Sequence, residues 1–237
     1  MKSLAVSAVV GAFLLTVSLP AFAGFDEDVT KAYAPYRVAL FKSNQNDKEA
    51  TEKAVGKFLT IWDGAVIAGY PNAPARYAGE PDWSGTLARI KVIGEKAMEA
   101  TRQGQLVEAH EILEAVRDEL DSLRDRNGVR VFSNFVNAYH SAMEHVLTTK
   151  VSADSWNRQT AGELYAGYGV LSYLAEDLAA HAPSDLKADE AFNGLLGDLM
   201  SSVEGLKAAL DSDDPAAIAK AVKALKPAYA KLFVKFG

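Results

Sequence analysis

The chain has no cysteine in its 237 residues, and that absence removes a wide range of chemistry. Disulfide staples, Cys-ligated zinc, iron–sulfur clusters, haem attached through CxxCH and thiol catalysis are all excluded. An acylated cysteine at the mature N-terminus is excluded with them. Basic excess is missing too: 25 Lys and Arg against 31 Asp and Glu leave a formal charge of −6, so no nucleic-acid partner is expected. The only long apolar run lies at the N-terminus, and no later stretch approaches the ~20 apolar residues of a membrane-spanning helix. No GxSxG, HExxH, P-loop or dinucleotide-binding glycine pattern occurs, and the Ser, His and Asp residues are too scattered to argue a triad. An enzyme is therefore not expected.

What is present is ordinary globular composition, 49% hydrophobic and 24% charged. Residues 1–23 read as a secretory signal peptide. Lys2 supplies a positive start, Ala5 to Leu19 an apolar core, and Ala21, Phe22 and Ala23 a small-residue cleavage site. Cleavage before Gly24 predicts a periplasmic protein with no membrane span after signal removal.

The remainder predicts an all-α fold, an antiparallel helical bundle. Ala, Leu, Glu and Lys dominate, Val and Ile do not alternate, and turn-forming residues fall in short clusters. Helices are expected near 26–44, 48–69, 84–103, 105–126, 130–149, 155–181, 186–211 and 214–235. Pro35 and Pro227 fall inside two of them and predict a kink or break. A shift of the chain on itself by about 109 residues aligns the stripe Ala109, Leu113, Val116, Leu120, Leu123 with Ile218, Val222, Leu225, Tyr229, Leu232. A shift of about 106 aligns Val29, Ala32 and Tyr33 with Phe135, Ala138 and Tyr139. The expectation is two tandem four-helix units, 24–128 and 129–237, with the alternative that they pack as one domain. Any two amphipathic helices align at some shift, so the stripe alone does not settle duplication.

Chemistry must be sought among the four histidines. His181 ends a helix before Ala182 and Pro183, where it complements the dipole. His145 falls on a different face from its neighbours and reads as solvated. His110 with Glu114, and His140 with Glu144, are i,i+4 pairs on the helices flanking Asn127 and Gly128. In an antiparallel hairpin about that turn, residues whose numbers sum to about 255 stand level. His110 is then level with Glu144, and Glu114 with His140. Two imidazoles and two carboxylates across one seam suit Zn, Fe, Mn or Cu. The candidate metal ligands are thus His110, Glu114, His140 and Glu144, serving sequestration or delivery of a transition metal ion. Helical angles place both histidines at the flank of the apolar stripe, so a seam of Glu–His salt bridges is the alternative. On that alternative the chain is an interaction or sensor module binding a partner protein or small ligand, without metal.

Two further clusters read as structural. Trp62, Asp63, Tyr70, Tyr77, Asp82 and Trp83 gather about the one long Pro/Gly-rich loop and are expected to pack it onto the bundle rather than line a pocket. The Glu/Arg alternation from Glu114 to Arg126, Arg117 and Arg124 included, reads as a solvated, salt-bridged face. An exported helical bundle with His and Met at helical positions resembles, in architecture alone, the periplasmic four-helix bundles that include cytochrome c′ and cytochrome b562. No motif accompanies that likeness: CxxCH is absent, and the flank position of His110, level with Met143, argues against an axial pair, so haem is not expected.

Overall fold

Helix boundaries follow from side chains that satisfy free backbone N–H groups. The computed structural model describes residues 24–237, so the signal peptide read over 1–23 lies outside the described residues. Helix α1 (Phe25–Asn44) opens with Asp26, Glu27 and Asp28 against the positive end of its dipole. Asp47 caps α2 (Lys48–Ile61) by accepting from the Ala50 N–H. Helices α3 (Trp83–Arg102) and α4 (Leu106–Arg126) are joined through Gly104, whose φ of 79° is costly for any other residue. Gly128, φ 62°, makes the corresponding turn into α5 (Phe132–Thr148). Asn157 caps α6 (Arg158–His181), and after the single turn α7 (Ser184–Lys187) Asp189 caps α8 (Glu190–Asp211). Asp214 caps α9 (Pro215–Phe236), with Pro215 in the first turn, where no N–H is needed. Helices make up 81% of the described residues, and no strand occurs among them. No helix among them is long and apolar enough to cross a membrane.

Three expectations need correction. The helix expected over 48–69 changes at Trp62 to a π-helical segment, Trp62–Ile67, which accommodates the fully buried indole as its Nε1 donates to the Leu87 carbonyl at 3.0 Å. The helix expected over 186–211 is two, because Asp189 starts a new one. Pro35 and Pro227 do not break their helices. Each costs one backbone hydrogen bond, and packing of the buried flanking residues Tyr33, Tyr36, Leu225 and Tyr229 outweighs it.

The helices pack in two closed cycles, α1–α2–α3–α4 and α5–α6–α8–α9. In each cycle the first helix also meets the last, and α1 meets α9 across the two. A continuous apolar core runs through both, with Tyr36, Trp62, Leu113, Tyr139, Leu164 and Leu199 almost wholly buried. The seam between the cycles is formed by α1 and α4 on one side and α5 and α9 on the other. Tyr33 Oη donates across it to Asn137 Oδ1 at 3.4 Å, and Asp121 accepts from Asn134 at 2.6 Å and from Asn137 at 3.0 Å.

Candidate functional site

Asp121 and Asn134 tie α4 to α5 close to the Gly128 turn. Farther along the two helices, α1, α4, α5 and α9 together line a cleft of about 350 Å³. All four residues of the expected site, His110, Glu114, His140 and Glu144, line this cleft. The hairpin register therefore places them in one space. The pairing differs from expectation. His110 Nε2 stands 3.6 Å from Glu114 Oε1, and His140 Nε2 stands 3.5 Å from Glu144 Oε1, so each histidine pairs within its own helix. Among the described residues no three His, Asp or Glu side chains stand close enough together to hold a metal ion. The four residues line one cleft as two His–Glu pairs, one on α4 and one on α5, and His140 also helps to lower the Glu114 carboxyl across the two helices. Residues of α1 and α9 line the cleft with them.

Each pair is fixed differently. His110 Nδ1 lies 3.1 Å from the Leu40 carbonyl and 3.0 Å from Ser43 Oγ. A carbonyl only accepts, so Nδ1 carries hydrogen, and a neutral His110 turns the Nε2 lone pair toward the cleft. Asn44 Nδ2 approaches that nitrogen at 3.4 Å. His140 packs against the Tyr229 ring at 5.1 Å between centroids, and its Nδ1 is buried with no hydrogen-bond partner. The Tyr229 hydroxyl is likewise buried and unpartnered, and burial pushes it far above the usual phenol range.

The carboxylates have cations beside them: Arg117, from the Glu/Arg alternation read as a face, and Lys226, which sequence reasoning did not single out. Arg117 Nη2 lies 3.2 Å from Glu114 Oε1, and Lys226 Nζ lies 3.2 Å from Glu144 Oε1. The neighbouring His110, as imidazolium, holds the Glu114 carboxyl down to about 2, against the opposing effect of burial and with the help of Arg117. His140 holds Glu144 below the usual range in the same way, burial again opposing and Lys226 assisting. One signal for this was available: the shift of about 109 residues that aligns α4 with α9 sets Arg117 on Lys226. Leu40, Met143 and Phe233 supply the apolar lining.

The other expected positions stand elsewhere. His145 is exposed. His181 closes α6, its Nδ1 2.9 Å from the Asp177 carbonyl and its ring stacked on Phe135 at 4.2 Å. The long-loop aromatics pack the loop: the rings of Tyr70, Tyr77 and Trp83 surround Phe25 at 4.7–5.3 Å. The face expected to be solvated is not uniformly so, because Arg117 and Arg124 are buried. Comparison with protein families, with curated proteins and with solved structures finds no match.

Proposed function

We propose that this chain is an exported binding protein, not an enzyme, whose ligand is a small organic molecule held in the cleft between α1, α4, α5 and α9. The observation that carries this reading is the cleft itself: about 350 Å³, lined by both His–Glu pairs. That volume lies in the range of small-molecule sites. Its polar inventory favours a ligand that brings acceptors. Glu114 and Glu144 are each neutralised by a cation, whereas the Tyr229 hydroxyl is a buried donor with no protein partner. Leu40, Met143 and Phe233 would receive the apolar part. A thermal-shift screen of small carboxylates, amides and amines against wild type and His110→Ala/His140→Ala tests it. Compounds that raise the Tm of wild type and not of the folded double variant support the cleft. A screen in which every stabilising compound acts equally on both proteins counts against it.

A second reading, uptake of a transition metal ion such as Zn, Fe, Mn or Cu, is favoured by one detail. The anchoring of His110 Nδ1 on a backbone carbonyl is the arrangement that orients a metal-binding imidazole. Each pair then offers two donors, Nε2 and Oε1, and water or a small ligand in the cleft would complete the coordination. Arg117 and Lys226 oppose it by neutralising the carboxylates. Titration with Zn²⁺ between pH 5 and 8 distinguishes the readings. Metal binding must weaken as pH falls, because protons compete with the ion for the imidazole nitrogens, and vanish in the double variant. No saturable binding at any pH leaves the small-molecule reading. We also propose that the two helical cycles are the tandem units read from the repeat, so that the cleft lies at a unit–unit seam, where ligand sites commonly form.

A further inference from the structure

Two arginines on the same seam have no use in the cleft described above. Arg37 of α1 and Arg124 of α4 are 8% and 2% exposed, buried beyond what an arginine tolerates without partners. Their partners are few. Arg37 makes one long hydrogen bond, Nη2 to the Lys235 carbonyl at 3.5 Å, and among the described residues no carboxylate pairs with it. Arg124 Nη1 donates to Ser133 Oγ at 3.0 Å, the guanidinium also stands within hydrogen-bonding reach of the Tyr77 hydroxyl, and it reaches Asp121 only at 4.0 Å. That carboxylate is already occupied by Asn134 and Asn137. The Nε of each arginine is buried and meets no protein acceptor. Leaving two guanidinium N–H groups unmatched in this way is costly, and each is a charge-assisted donor of fixed geometry.

Both arginines line one cavity of about 400 Å³, closed by the first turn of α5, the α7 region and the last turn of α9. Lys235 adds a third cation, and Asp185 is the one acidic side chain on the wall. Ser133 contributes a hydroxyl, and Phe132 and Phe236 an apolar surface. Three cations facing Asp185 as the one acidic side chain, with two buried guanidinium Nε–H groups lacking acceptors, describe a site complementary to a planar or tetrahedral oxyanion. The volume exceeds that of a bare ion, and the aromatic walls select for something attached to it.

We propose that this cavity is a second binding site, taking a small oxyanion: a carboxylate or phosphate group carried on a short apolar body. The anionic head accepts from Arg37, Arg124 and Ser133, Lys235 closes over it, and Phe132 and Phe236 contact the body. Arg37 and Lys235 belong to α1 and α9, Arg124 and Ser133 to α4 and α5, so an occupant would tie the two helical cycles together.

Calorimetric titration of the mature chain at low salt with benzoate, phenyl phosphate and uncharged benzamide tests the site. At least one anion is expected to bind saturably and benzamide not to, and the tighter of the two anions identifies the head group. Arg37→Gln is expected to weaken that binding about tenfold. Lys235 is exposed, so Lys235→Gln leaves the fold intact and is expected to weaken binding about threefold. It decides the matter should Arg37→Gln fail to fold. His110→Ala/His140→Ala should bind as wild type does. The proposal is overturned if neither anion binds saturably, if benzamide binds as well as benzoate, or if Lys235→Gln and a folded Arg37→Gln bind like wild type. Loss of binding in the double histidine variant would place the anion in the other cleft and also overturn it.

Discussion

At Glu114 three groups converge, and their balance sets a pH signature. His110 and Arg117 hold its carboxyl down to about 2, against an ordinary value of 4.5. The folded state therefore releases this proton more readily than the unfolded chain does. The stabilisation from Glu114 is complete above about pH 4.5 and is lost as pH falls toward 2. Because the side chain is 37% exposed, solvent screening keeps the effect small. Glu114→Gln should flatten the acid limb of stability in that window, as read from denaturant midpoints at a series of pH values from 2 to 6. A variant whose acid limb runs parallel to that of wild type would show that the pair is energetically silent. At this scale the four expected site residues were legible because 3.6-residue periodicity and one turn fix which side chains share a face and a height. Asn44, Lys226 and Tyr229 were not, since they enter from helices far away in the chain. The burial of Arg117 and Arg124 was hidden by the acidic residues interleaved with them, which made the stretch read as a solvated face.

Between elements, glycine divides into positions that carry packing and positions that do not. In α3, a Cβ on Gly94 would lie 2.8 Å from Leu59 Cδ2 and 2.9 Å from Phe58 Cε1, so this glycine permits the close approach of α2. In α8, a Cβ on Gly205 would meet nothing within 4 Å. Gly205→Ala should stabilise by about 0.5–1 kcal/mol through helix propensity alone. Gly94→Ala should destabilise by about 1–3 kcal/mol, because the buried Phe58 ring cannot retreat. Equilibrium unfolding of both variants checks the pair, and a Gly94→Ala protein as stable as Gly205→Ala would refute the close-packing argument. The long loop depends on Glu80, whose 2% exposed carboxylate accepts from Arg126 at 3.0 and 3.1 Å and from Asn127 at 3.0 Å. Glu80→Ala removes these bonds, but Arg126 is 44% exposed and Asn127 keeps its bond to the Leu123 carbonyl, so the cost should be about 1–2 kcal/mol in the same unfolding measurement. The starts of α2 and α9 were legible in the sequence because Asp47 and Asp214 are capping types in front of apolar-periodic stretches, whereas the caps Asn157 and Asp189 were read inside the helices expected over 155–181 and 186–211. The π-helical segment was not, because it answers to the distant Leu87 carbonyl and to no local signal.

For the molecule as a whole, the question is whether two helical cycles behave as one folding unit. Each cycle closes on itself through its own helix pairs, which alone would allow separate unfolding. Against this stands the seam. The apolar core is continuous from α1 to α9 and includes Tyr33, Tyr36, Tyr139 and Tyr229 from both sides. Buried polar links also cross it, from Tyr33 to Asn137, from Asp121 to Asn134 and from Arg124 to Ser133. Unfolding one cycle would strip these groups of their partners and expose the tyrosines of the other, a penalty of several kcal/mol that couples the two. A single cooperative transition is expected. Tryptophan placement allows a direct test, since Trp62 and Trp83 lie in the first cycle and Trp156 alone in the second. In a Trp156→Phe variant, fluorescence reports on the first cycle and far-UV circular dichroism on the whole. Urea midpoints that coincide by the two probes establish one unit. Midpoints that separate would mean that the seam is the weakest part of the molecule, and an occupant of either seam cavity should then draw them together.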